Sequence, residues 1–224
     1  MIVNKDGRVV VYSGDDAQFD YVYRFVSRDR VRPGDKTHNM RLLSEGTLSV
    51  ARYNEDGTVT WLPLVFGEGP LTPANGFNSQ ADVVIDARLA ADLLKATPMD
   101  RPEDVQPHPT SGKVFVLLTN NAQRRPEQVD KANPRPENYF GHVIEMTAPD
   151  GDHAAATFRW DILIKCGRPA HRPGRCPVAS ADQRRRLVRL ARQLRDRCTG
   201  PAVDLHRSGH RVGANATCGR ALCR

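Results

Sequence analysis

The stretch from Thr47 to Leu64 limits the fold more tightly than any other part of the chain. Thr47–Tyr53 alternates polar and apolar residues, Asn54-Glu55-Asp56-Gly57 turns, and Val59–Leu64 returns. Two alternating runs around an Asn/Asp/Gly turn predict a β-hairpin, because successive side chains of a strand point to opposite faces. The pattern recurs. Arg8–Tyr12 and Tyr21–Ser27 are β-rich and separated by Gly14-Asp15-Asp16. Val114–Thr119 follows Pro109-Thr110-Ser111-Gly112, and Gly141–Thr147 and Ala154–Ile164 flank Pro149-Asp150-Gly151. Short strands with frequent glycine turns predict an all-β sandwich, barrel or propeller. One segment differs. Asn78–Ala96 carries Ala81, Val84, Ile85, Leu89, Leu93 and Leu94 at helical spacing. It predicts one inserted helix, capped by Asn78 or Ser79 and ending near Thr97-Pro98, that covers one end of the β structure.

Charge divides the chain in two. Residues 1–165 hold 19 Lys+Arg and 23 Asp+Glu, a net of −4, whereas residues 166–224 hold 14 Arg and 3 Asp, a net of +11. The overall +7 therefore belongs to the C-terminal segment, which also contains all five cysteines (Cys166, Cys176, Cys198, Cys218, Cys223) and no lysine. Two readings fit this break. One is a basic appendage for nucleic acid or another anionic polymer. The favoured one is out-of-frame translation beyond residue 165. The segment is expected to be mostly disordered or weakly helical, Gln183–Arg197 being its one amphipathic stretch. His206 and His210 with Cys218 and Cys223 make a poor zinc pattern, in reversed order and with a wide gap. No run of 18 apolar residues exists, so no membrane span is predicted. The N-terminus shows no export signal, and a chain that opens inside a hairpin pattern is expected to have lost preceding strands.

Several residues could carry chemistry. Asp15 and Asp16 sit at a strand end and could ligate Ca²⁺, although on spacing alone an ordinary Asp-rich turn is the preferred reading. Glu45 opens a strand beside Gly46 and could face a cavity or solvent. In Asp100-Arg101-Pro102-Glu103-Asp104 an arginine fork suited to phosphate adjoins carboxylates able to hold a metal, unless the stretch is a surface salt-bridge loop. Asn120 and Asn121 end an apolar strand and could offer amide oxygens to a cation. A lone His142 at a strand start reads as a satisfied structural residue. No nucleotide loop, nucleophile elbow or zincin motif occurs.

Taken in order, these phrases resemble the PhoX family of alkaline phosphatases. They are Val9–Asp16 with Tyr21–Ser27; Glu45-Gly46-Thr47-Leu48 with Val50–Tyr53; Gln80-Ala81-Asp82 with Thr97–Asp104; Gly112–Val116 with Thr119-Asn120-Asn121; Gly141–Glu145; and Phe158–Asp161. The resemblance covers nearly all of residues 1–165 and none of 166–224. It implies a partial β-propeller around a calcium and iron (Ca²⁺, Fe³⁺) centre, in a periplasmic or secreted, monomeric enzyme that hydrolyses small phosphate monoesters. It implies a phosphate-binding or catalytic role for Arg101, a catalytic and metal-ligand role for Glu103, and metal ligation by Asp15, Asp16 and Glu45. The family's early strands and later acidic blades are not matched, so an inactive fragment is expected. The alternatives are a non-catalytic propeller scaffold whose basic tail binds anionic polymers, and a lactonase-like propeller. The phosphatase reading loses its physical basis if both Arg101 and Glu103 point into bulk water, remote from the Gly14–Asp16 tip and from any shared cavity.

Overall fold

The computed structural model describes residues 1–167. The tail helix at Gln183–Arg197, the zinc pattern at His206, His210, Cys218 and Cys223, and the expected disorder all lie outside the described residues. The described chain is mostly β. Its main sheet is built from β1 (Ile2–Val3), β2 (Arg8–Gly14), β4 (Val22–Arg30), β5 (Gly46–Tyr53), β6 (Thr58–Pro63), β8 (Pro102–Pro107), β9 (Lys113–Leu118), β10 (His142–Thr147) and β11 (Thr157–Lys165). Strands β3 (Gln18–Asp20) and β7 (Met99–Asp100) pair separately. The helices are α1 (Lys36–Asn39), α2 (Gln80–Ile85) and α3 (Ala87–Leu93).

The hairpin from Thr47 to Leu64 forms as its pattern dictates. Strands β5 and β6 pair in register from Ser49↔Pro63 to Tyr53↔Val59. Gly57 takes the positive φ of the turn, 82°, which a side chain would oppose. The Asn54 amide reaches the hydroxyls of Thr58 and Thr60, both at 2.9 Å, and so ties the turn to the returning strand.

The sheet runs β1-β2-β4-β5-β6-β11-β10-β9-β8 and curls until β8 comes back beside β2. Gly14 makes this near-closure possible. A Cβ there would overlap the Pro102 carbonyl oxygen and would lie 2.9 Å from the Pro102 Cβ. The inner face is a single apolar core, including Val10, Tyr12, Val22, Trp61, Val105, Met146 and Phe158. Edge-on ring contacts knit it together, with Tyr53 and Trp160 at 5.3 Å and Trp61 and Phe158 at 5.7 Å between centroids. Each such pair adds about 0.5–1.5 kcal/mol to the burial of its rings.

The inserted helical segment departs from expectation. The chain breaks at Asp86 (φ −97°, ψ 41°), giving two short helices instead of one. Ser79 is the cap, its hydroxyl accepting from the Asp82 N–H at 3.2 Å. The helices bury Val83, Ala90 and Ala91 in a second core with Tyr21, Tyr23, Val50 and Phe77 on the outer face of β4 and β5. Val84, Ile85 and Leu89, expected inside, are exposed, Ile85 at 77%. The break at Asp86 changes the helical phase, so one continuous apolar stripe cannot be maintained. Small alanines then allow close approach to the sheet.

Candidate functional site

Strand β2 ends at Gly14, and its next residues meet the start of β8. The Arg101 Nε lies 3.1 Å from Asp16 Oδ1, and Nη2 donates to Asp16 Oδ2 at 3.2 Å. Arg101 Nη1 donates to Asn120 Oδ1 at 2.9 Å. The guanidinium stays one-third exposed. Of its five N–H groups, at least two remain free for another acceptor. Arg101 also adopts φ 53°, a left-handed conformation that costs free energy for a residue with a Cβ. Its carbonyl accepts from the Thr119 N–H at 3.2 Å, which helps hold that conformation.

The remaining predicted residues fall in three places. Asp15 is exposed beside Asp16, with its backbone N–H donating to the Tyr21 carbonyl. Glu103 is exposed in β8, where the register shifts between Pro102 and Asp104, and it has no hydrogen bond or ion pair among the described residues. The positive φ at Arg101 and this bulge interrupt the simple alternation that would put Arg101 and Glu103 on one face. Glu45 lies elsewhere. Gly46 pairs with Ser27 on β4, whereas Gly14 pairs with Val22. Five residues of strand separate these points, about 17 Å at ~3.3 Å per residue. Glu45 forms an ion pair with Arg28 at that opposite end.

The cluster Asp100–Asp104 is therefore not one acidic surface. Asp100 is fully buried and pairs with buried Arg124, Oδ1 to Nε at 2.6 Å. Arg124 also donates to the carbonyls of Gln128 and Pro98, each at 2.7 Å, and its guanidinium lies 5.1 Å from the Phe19 ring centroid. Asn138 Nδ2 donates to Asp100 Oδ2 at 2.9 Å. The same amide group lies 3.2 Å from His142 Nδ1, and His142 Nε2 lies 2.8 Å from the Ala132 carbonyl. This places the ring proton on Nε2. Burial lowers the His142 pKa below its ordinary 6.5, against opposing effects from Ala132 and Asp100. His142 is thus a structural residue. A second buried carboxylate, Asp20, pairs with Arg88 at 2.8 Å, and burial raises its pKa. Arg124 and Asn138 sit in loops 24 and 38 residues from Asp100, and no local pattern announces them.

Calcium binding needs several oxygen donors around one point. Among the described residues, no three His, Cys, Asp or Glu side chains gather closely enough to hold a metal. Asp16 is engaged by Arg101, and Glu45 lies at the far end of β4. Among the described residues, the carboxylates do not fit a calcium and iron cluster as a set.

A family model described as alkaline phosphatase PhoX matches residues 1–188. Among solved structures, Pseudomonas fluorescens PhoX in complex with vanadate, a transition state analogue, is 40% identical with a TM-score of 0.72. That alignment covers 77% of this chain and 31% of the relative. No curated protein matches. The chain belongs to the PhoX family. It spans less than a third of that solved relative's length. The relative's fold is propeller-like, in keeping with the all-β reading and with the β-rich, nearly closed sheet seen here.

Proposed function

We propose that this chain carries the phosphate-gripping part of an alkaline-phosphatase centre acting on phosphate monoesters, with Arg101 as the group that meets the phosphoryl oxygens. The observation behind this reading is the Arg101 fork itself, held from behind by Asp16 and Asn120 while still presenting free N–H groups. A guanidinium fixed before the substrate arrives stabilises charge that develops on the transferring group without first reorganising. Asp16 is the orienting carboxylate. Asp15 and Glu103 are the nearest exposed carboxylates along the chain, and ligation by them would need donors beyond the described set. Calcium and iron, and a periplasmic or secreted location, enter this proposal through family membership. So does the role of Glu45, whose position beside Arg28 gives it no direct part in the Arg101 grip.

A chain that matches less than a third of its relative is expected to lack measurable turnover of p-nitrophenyl phosphate with added Ca²⁺ and Fe³⁺. Sustained hydrolysis by the purified chain would overturn that. Vanadate titration followed through arginine Nε–H signals in ¹⁵N NMR tests the grip directly. The Arg101 signal should shift saturably and disappear in Arg101→Ala. A signal indifferent to vanadate sinks the assignment.

A further inference from the structure

At the other end of β4 lies a cleft of about 1080 Å³, large enough for a small molecule. Its walls include Arg8, Arg24, Arg28, Glu45, Ser49 and Trp61. The rim arginines already have counter-charges. Arg8 pairs with Asp6 at 2.6 Å, and Arg28 pairs with Glu45 and with Asp29. Arg24 differs from both. It is only 4% exposed and has no ion pair among the described residues. Its Nη1 donates to the carbonyls of His153 at 2.9 Å and Ala155 at 2.6 Å, but its Nε has no acceptor. The guanidinium carbon lies 4.6 Å from the Trp61 ring centroid, and Trp61 Nε1 also lacks an acceptor. The other tryptophan is satisfied, with Trp160 Nε1 donating to the Asn54 carbonyl. Asp152, whose charge reaches Arg24, has its Oδ1 engaged by the Asn4 amide and the Ala154 N–H. Burial lowers the Arg24 pKa to about 10, as expected of a charge removed from water without a counter-ion.

Two residues in contact within one wall, Arg24 and Trp61, thus each carry a buried N–H without an acceptor, one of them charged. Directly across the strand pair from Arg24 stands Ser49, a small side chain that leaves room beside it. We propose that this cleft binds a small oxyanion, a carboxylate or a phosphate group, accepted between the Arg24 guanidinium and the Trp61 indole N–H. An oxyanion supplies both missing acceptors and the missing charge at once, and a planar guanidinium stacked on an aromatic ring is well suited to hold it. The site is distinct from Arg101, which pairs with Asp16 and does not line this cleft.

The test uses the full chain in a Trp160→Phe background, so that emission reports Trp61 alone. Inorganic phosphate and acetate are titrated separately at constant ionic strength. A saturable change is expected with at least one anion, and the tighter binder identifies the group the cleft accepts. Arg24→Lys, which keeps the charge but loses Nε, should weaken binding at least tenfold. Ser49→Phe, which fills the space beside Arg24, should abolish it with the circular dichroism spectrum unchanged. Arg101→Ala should leave it intact, so failure here is distinguishable from failure of the Arg101 assignment. No saturable response to either anion, or undiminished affinity in folded Arg24→Lys, overturns the proposal.

Discussion

Two arginines are buried among the described residues, Arg24 on β4 and Arg124 in a loop, and they are treated in opposite ways. Arg124 is 2% exposed and directs each nitrogen to a protein acceptor, one of them the buried carboxylate of Asp100. Arg24 is buried almost as deeply, yet has neither a carboxylate nor an acceptor for Nε. Both stack on aromatic rings. The difference separates two uses of one side chain. A guanidinium with all its acceptors supplied acts as a strut. One left short of an acceptor keeps binding capacity in reserve, at a cost in stability.

That contrast can be broken by mutation. Arg124→Met leaves Asp100 buried and unpaired, and should cost about 3–5 kcal/mol in denaturant unfolding. Gly14→Val forces a side chain into the Pro102 carbonyl and should cost about 1–3 kcal/mol, loosening the approach of β2 to β8. Arg24→Met removes an uncompensated charge along with two bonds to carbonyls, and should cost only about 1–2 kcal/mol. If Arg24→Met proves as damaging as Arg124→Met, the distinction between strut and receptor fails. Arg101→Ala should change stability by less than about 1 kcal/mol, since its pair with Asp16 is partly solvated. Its expected effect is instead on the vanadate response proposed for Arg101.

A smaller effect comes from His142. Its folded pKa lies below the ordinary 6.5, so the unfolded chain takes up the proton first as pH falls. Stability from this group is present above pH 6.5 and is lost as pH falls toward the folded pKa. His142→Gln should flatten that part of a stability–pH curve without reversing its sign, because burial depresses the His153 pKa as well.

Local chemistry decided what could be read from sequence. The β5–β6 hairpin was legible because its turn, its alternation and its partner strand lie within one short window. Strand β8 was not, because Pro102 and Pro107 at its two ends, with acidic residues between, resemble a stiff loop. The helix at Asn78–Ala96 was half legible: the cap at Ser79 is local, whereas the phase change at Asp86 emerges only against the sheet. The ion pair of Arg101 with Asp16 joins residues 85 positions apart, and the family resemblance assigned the two separate roles, phosphate binding and metal ligation, without pairing them. The same resemblance grouped Glu45 with Asp15 and Asp16, and only strand register reveals its separate position.

One margin of the sheet also bears on how copies of this chain would meet. Strand β8 begins and ends with proline, so two of its six positions have no N–H to offer a newcomer. This margin is therefore a poor template on which a neighbouring molecule could zip into a continuous ribbon. Self-association of this region should therefore proceed through exposed side chains such as Ile85 and Leu89, and be weakened by making them polar, whereas changes along β8 should have little effect on it.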